Sequence, residues 1–188
     1  EALLPGHFHK GYIAFAIGGR HATKRMPNEK IIGVIKKLNH PVVLIGDDND
    51  AENGDLIVRA NGHNTFNACG HFSLDESAWV VKHANVVIAH DSGMMHIAAA
   101  FNKPLVSIWG NTVPDFGMTP YMPVFSNRSK IIEIKGLTCR PCSKLGYPKC
   151  PKKHFDCMMK MDEDLIAREV CKLADDLLLI KTVGTSQP

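Results

Sequence analysis

Val86-Val-Ile-Ala-His-Asp-Ser-Gly-Met-Met-His-Ile-Ala-Ala-Ala100, followed after Pro104 by Leu105-Val-Ser-Ile-Trp109, reads as strand, turn, helix and strand. The two apolar runs are short, rich in β-branched residues and bounded by polar or glycine positions, which is the pattern of strands buried on both faces. Between them an Ala-rich helix begins at Ser92-Gly93 and is expected to end near Asn102, before the proline. A strand, a helix and a second strand at this spacing form a right-handed parallel crossover.

The same alternation extends in both directions. Upstream, Tyr12-Ile-Ala-Phe-Ala-Ile17 is a buried strand ending in Gly18-Gly19, and Ile31, Ile32, Val34, Ile35 and Leu38 recur at helical spacing after Pro27, with Asn28 as N-cap. Residues 42–45 form a strand closed by Gly46, the acidic run 47–50 leads into a helix towards Ala60, and residues 65–68 make a weaker strand. Ser73 and Glu76 have capping-box spacing, so a helix is expected from Leu74 to about Ala84. Downstream, residues 131–134 suit an edge strand, residues 163–179 an amphipathic closing helix, and residues 181–188 a frayed tail. The fold class is α/β: a Rossmann-like, doubly wound parallel sheet, whose ligands sit at the carboxyl ends of the strands.

The chain has 188 residues, 45% hydrophobic and 22% charged, enough to bury one sizeable core. No apolar run approaches the roughly 18 residues needed to cross a bilayer, and no signal-like segment opens the chain. The net charge of +3 is modest and its cations are scattered, which argues against nucleic acid as a partner. Residues 1–11, with Pro5 and Gly6, are loop-like and read as a linker from a preceding domain. Residues 12–180 are then one ligand-binding domain.

Three strand ends carry the polar chemistry: residues 18–25, 90–96 and 110–117. At the second, Ser92, Gly93 and Met94 form the first turn of a helix whose unpaired N–H groups and positive dipole end attract an anion. His96, three residues beyond Gly93 and four beyond Ser92, is expected on the same face, beside that anion. Asp91 would repel a phosphate but can accept from sugar hydroxyls; it also suits a helix N-cap, as His96 suits an ordinary core-edge position. Gly18 and Gly19 permit close backbone approach, Lys24 and Arg25 are placed to neutralise a diphosphate, and Thr112 offers a hydroxyl. A basic pair beside a glycine turn is also common as a solvated loop.

In order and spacing, Lys24-Arg-Met-Pro27, Asp91-Ser-Gly-Met-Met-His96 with Ala98-Ala-Ala100 and Pro104, and Gly110-Asn-Thr-Val-Pro114 resemble the C-terminal half of family 9 glycosyltransferases, which include the ADP-heptose:lipopolysaccharide heptosyltransferases. The resemblance covers residues 12–179. It implies a GT-B architecture of two Rossmann-like halves, of which this is the C-terminal, donor-binding one. The acceptor, lipid-linked or oligosaccharide, and the general base would belong to an N-terminal half. It further implies an inverting, cytoplasmic transfer from a nucleotide sugar, ADP-heptose foremost, in lipopolysaccharide biosynthesis, with no cofactor required. Lys24 and Asp91 become the candidate catalytic residues, Lys24 at phosphate and Asp91 at the sugar. The Ser92-Gly93-Met94 backbone and His96 would hold the diphosphate, Thr112 the loop beside it, and Asp50 or Glu52 the ribose. Ser92 stands where threonine is common, Met26 where an aromatic is, and Met94 where proline is. Two other readings fit the residues: half of a nucleotide-sugar epimerase, and a non-catalytic nucleotide- or zinc-binding module.

Four of the six cysteines, Cys139, Cys142, Cys150 and Cys157, crowd the loop 138–158. They are close enough in sequence for one tetrahedral structural zinc, although the second pair is wide; a reduced loop or adventitious disulfides are the other readings. Lys144, Lys149, Lys152 and Lys153 make the loop basic, suited to an anionic membrane surface.

Overall fold

The computed structural model describes residues 3–124 and 126–184, without the side chains of 177–184. Six parallel strands form one sheet: β1 (Ile13–Ala16), β2 (Val42–Ile45), β3 (Thr65–Asn67), β4 (Val86–His90), β5 (Leu105–Trp109) and β6 (Ser129–Glu133). Their spatial order is β3-β2-β1-β4-β5-β6, so the winding reverses between β1 and β4. At that reversal the loops leaving the two strands run to opposite faces and open a crevice at their carboxyl ends.

Helices α1 (Asn28–Lys37), α2 (Ala51–Asn61), α3 (Leu74–His83), α4 (Gly93–Ala100), α5 (Asp156–Met159) and α6 (Glu163–Gly184) cover the sheet. The period-2 alternation of β1 divides the core. Ile13 and Phe15 face one layer with Ile31, Val34 and Ile35 of α1 and Ile166, Val170 and Leu173 of α6. Ala14 and Ala16 face the other, with Val80 and Val81 of α3 and Met95 and Ala98 of α4. Small residues on both partners let α4 lie close to the sheet. α6 is tied to α1 by Lys30–Glu163 (2.8 Å) and Lys37–Asp164 (2.7 Å).

The capping box forms as expected: Glu76 N–H donates to Ser73 Oγ, and Ser73 N–H to Glu76 Oε2. Other expectations are corrected. Pro27, not Asn28, occupies the cap position of α1, and the Asn28 amide donates to Asn53 Oδ1 on α2 at 2.7 Å. α4 stops at Ala100, because Asn102 turns into the left-handed region (φ 52°) and closes the helix. β6 begins two residues earlier than read, at Ser129. Residues 6–10, read as part of a loop-like linker, form a 3-10 turn that buries Phe8 against Tyr12 and Phe66. α6 runs on to Gly184, through the first part of the stretch read as a tail; residues 1–2 and 185–188 of the linker and tail lie outside the described residues. The cysteine-rich loop contains α5, whose Cys157 and Met158 are buried in the α1/α6 layer.

Candidate nucleotide-sugar site

The crevice at the β1/β4 reversal is a cavity of about 730 Å³, within the size range of small-molecule sites. Gly18, Gly19, Lys24, Asp50, Asp91, Ser92, Gly93 and Met94 line its polar side. Phe72, Leu74, Ile97 and Leu145 form an apolar wall. No motif foretold that wall, because its members come from three separate segments.

β4 ends in His90, and Asp91 and Ser92 turn the chain into α4. Ser92 occupies the N-cap position in extended geometry but makes no side-chain cap, and its buried Oγ has no protein partner. The first-turn amides of α4 therefore face the crevice without a capping oxygen, the condition for binding an anion. A Cβ placed on Gly93 would meet nothing within 4 Å, so the approach to those amides is open.

Beside this helix end, Lys24 Nζ lies 2.6 Å from Asp91 Oδ2, with the side chains only 13% and 6% exposed. Thr112 Oγ1 donates to the same oxygen at 2.8 Å. The sequence places Lys24, Asp91 and Thr112 as separate ligand contacts; the structure joins them. Thr112 is fully buried and reaches Asp91, not the crevice.

Asp50 is likewise redirected. Its Oδ1 accepts from Arg25 Nη1 at 3.1 Å and its Oδ2 from the Asp47 amide at 3.1 Å, closing a reciprocal capping box at the 3-10 turn before α2. Each oxygen takes one protein donor while Asp50 still lines the cavity, whereas Glu52, the other residue expected at the ribose, is exposed and outside the lining. The same carboxylate occupies the space where a Cβ on Gly18 would stand. Gly18 is thus required by Asp50 packing, and it also lines the crevice. Arg25 is held by Asp50 and, unlike Lys24, does not line the cavity.

His96 is exposed and does not line the cavity. Gly93, Met94 and Ile97 share the cavity face, and at about 100° per residue His96 falls roughly a quarter-turn off it.

His90 is a site residue that sequence reasoning passed over. It is wholly buried; its Nε2 accepts the Met26 N–H at 3.0 Å, which leaves Nδ1 to donate to the Gly18 carbonyl at 3.5 Å. Burial holds the ring neutral by pushing its pKa down to about 4, with the Arg25 charge acting in the same direction. It thereby straps the Gly18–Met26 segment, which carries Lys24, to the end of β4. The available signal was a histidine ending an otherwise apolar strand.

The four loop cysteines do not form a shared ligand set. Cys142 Sγ donates to the Cys139 carbonyl, Cys139 Sγ lies 3.9 Å from His154 Nε2, and Cys157 is buried, which raises its thiol to about 11. Among the described residues no three His, Cys, Asp or Glu side chains gather as a metal site. The four thiols are thus not gathered for the structural zinc that was one reading of the loop. Nor is any helix among the described residues long and apolar enough to cross a membrane.

A parallel sheet that reverses between β1 and β4, with the uncapped amino end of α4 at the reversal, is a Rossmann-like fold, that of the C-terminal half of a GT-B protein. Residues 2–150 match the model of glycosyltransferase family 9 (heptosyltransferase), and the chain belongs to that family. It is 31% identical over 119 residues to lipopolysaccharide heptosyltransferase 2 of Escherichia coli K12, a match covering 60% of this chain and 33% of that protein. The structure of E. coli ADP-heptose lipopolysaccharide heptosyltransferase II superposes with a TM-score of 0.69 at 24% identity, over 88% of this chain and 47% of the other. E. coli heptosyltransferase WaaC with ADP gives 0.65 at 18% identity, over 92% and 47%. The chain thus spans about a third of the length of the curated relative and just under half of the solved chains.

Proposed function

We propose that this chain is the donor-binding domain of an inverting glycosyltransferase, holding a nucleotide diphosphate sugar, ADP-heptose, for transfer to a lipopolysaccharide-type acceptor. The observation that carries this reading is the uncapped amino end of α4 at Ser92-Gly93-Met94, facing a cavity beside the buried Lys24–Asp91 pair. The α4 amides take the diphosphate, and Lys24, released from Asp91 as the donor enters, neutralises the charge that builds on the leaving group. Asp91 then accepts from sugar hydroxyls. The apolar wall of Phe72, Leu74 and Ile97 shelters the base.

The choice of ADP-heptose is supported by family membership and by the relatives named for that donor or bound to ADP. On this reading the general base and the acceptor site lie outside this domain, which binds donor but transfers sugar poorly by itself. The leaving diphosphate is served by Lys24 and backbone amides, with no added cofactor. Residues 144–153 contribute four lysines and no carboxylate, a surface suited to peripheral association with the cytoplasmic face of an anionic inner membrane.

Calorimetric titration with ADP-heptose, ADP, GDP- and UDP-sugars tests the reading. Tighter binding of ADP-heptose than of the other sugar nucleotides and of ADP is expected. A folded protein that binds none of them overturns it.

A further inference from the structure

The metal geometry leaves the cysteines of the loop 138–158 without a shared ligand role, yet the loop carries one of the most engaged cations in the molecule. Arg140 is 5% exposed and lies 2.8 Å from Glu133 Oε2 at the end of β6. It also donates to three carbonyls: Nε to Gly110, Nη1 to Ile134 at 2.9 Å, and Nη2 to Thr112 at 2.8 Å. Next to it, the Cys142 amide donates to the Asn111 carbonyl at 3.1 Å. Residues 110–112, which have no regular structure of their own, are therefore held by the loop on each of their three carbonyls.

Thr112 is the consequential one. Its carbonyl accepts from Arg140 while its hydroxyl donates to Asp91 Oδ2, the oxygen that also meets Lys24. The loop grips the other side of the site as well: Thr23, adjacent to Lys24, exchanges hydrogen bonds with the Tyr147 backbone through its hydroxyl at 2.7 and 3.1 Å. Only a planar guanidinium can serve one carboxylate and several carbonyls at once.

We propose that Arg140 is a positioning residue for donor recognition: by fixing the Thr112 carbonyl it aims the Thr112 hydroxyl, which holds the Asp91 carboxylate where the donor sugar is gripped. The proposal rests on the donor-binding reading above. It gives the cysteine-rich loop a function in sugar selectivity without a metal.

The test measures ADP-heptose and ADP affinities calorimetrically for wild type, Arg140→Lys, Thr112→Val and the double variant. Arg140→Lys keeps a charge for Glu133 but loses the fork. It is expected to cut the preference for ADP-heptose over ADP about tenfold while ADP affinity stays within twofold. If Arg140 acts through Thr112, adding Arg140→Lys to Thr112→Val lowers the preference no further. Should Arg140→Lys not fold, Glu133→Gln, which leaves the guanidinium without its anchoring carboxylate, takes its place with the same expected loss. An unchanged preference in the folded variant, or additive losses in the double variant, overturns the positioning role while leaving the donor reading intact. A wild type with no preference for ADP-heptose over ADP overturns the donor reading and this proposal with it.

Discussion

Lys24 Nζ and Asp91 Oδ2 stand 2.6 Å apart in the lining of the crevice, a largely buried ion pair beside the amino end of α4. A pair so buried costs desolvation that its mutual attraction offsets only in good geometry, and Thr112 supplies the further hydrogen bond that completes it. Under the proposed function, donor binding would exchange this partner for another: phosphate in place of carboxylate at Lys24, and sugar hydroxyls in place of ammonium at Asp91.

From that exchange, Asp91→Asn is expected to leave ADP affinity unchanged or slightly tighter, since Lys24 no longer has to be released, while removing the preference for ADP-heptose. Lys24→Ala is expected to weaken ADP and ADP-heptose alike, by about tenfold, roughly 1.4 kcal/mol. Calorimetry on both variants separates the roles. Equal losses for both ligands in Asp91→Asn would contradict the assignment of Asp91 to the sugar.

Gly93 offers a contrast between folding and binding. No atom within 4 Å would oppose a methyl group there, so Gly93→Ala is expected to fold with an unchanged or slightly higher melting temperature, helped by alanine's helix propensity. That methyl stands in the approach to the α4 amides, and nucleotide affinity is expected to fall at least tenfold. Thermal melting with and without ADP reads both effects.

Thr112→Val keeps the shape and deletes the donor. A buried carboxylate oxygen loses one hydrogen bond, with an expected cost of about 1–3 kcal/mol in urea unfolding, whereas Thr112→Ser retains the hydroxyl and stays near wild type. Equal stability of the valine and serine variants would show that the Thr112–Asp91 bond contributes nothing.

The buried His90 makes stability depend on pH. Its native pKa, about 4, lies below the ordinary 6.5, so the unfolded chain takes up a proton that the native state refuses. Stability is full above 6.5 and falls as pH drops towards 4, by roughly 3 kcal/mol at most, at 1.36 kcal/mol per unit. In His90→Gln, which retains an acceptor for the Met26 amide, the difference in urea midpoint between pH 7 and pH 5 is expected to shrink. An unchanged difference would place the titration elsewhere.

The basic loop predicts salt-sensitive association with vesicles containing phosphatidylglycerol but not with neutral ones, and loss of that association when Lys144, Lys149, Lys152 and Lys153 are changed to Gln. Co-sedimentation at low and physiological salt is the measurement. Indifference to lipid charge would remove the membrane surface from the proposal.

Much of the frame was legible without coordinates because it depends on local rules. Apolar runs at strand length, the 3.6-residue recurrence in residues 31–38, the Ser73–Glu76 spacing and the Ser92-Gly93 turn each act over a few residues, and alternating strands and helices leave few topologies. The capping box and the amino end of α4 stand where those rules put them. Where the angle around a helix mattered, spacing alone misled. His96 shares its register with Ser92 and Gly93 in the count of residues, yet it is exposed and absent from the crevice lining that those two share with Met94 and Ile97.

What the chain's own sequence determined is therefore the parallel α/β sheet, the place of its crevice and the amino end of α4 that opens on it, all consequences of periodicity and turn chemistry. Only the tertiary structure decided the partners: Lys24 and Thr112 on Asp91, Arg25 on Asp50, Met26 on His90, and Arg140 on Thr112. Apart from that last reach from the cysteine-rich loop, these pairs are separated by 21–67 residues and come together because neighbouring strand ends do. Charge and hydrogen-bonding capacity are written in each residue, but which buried group must satisfy which other is settled only when the loops pack and water is excluded.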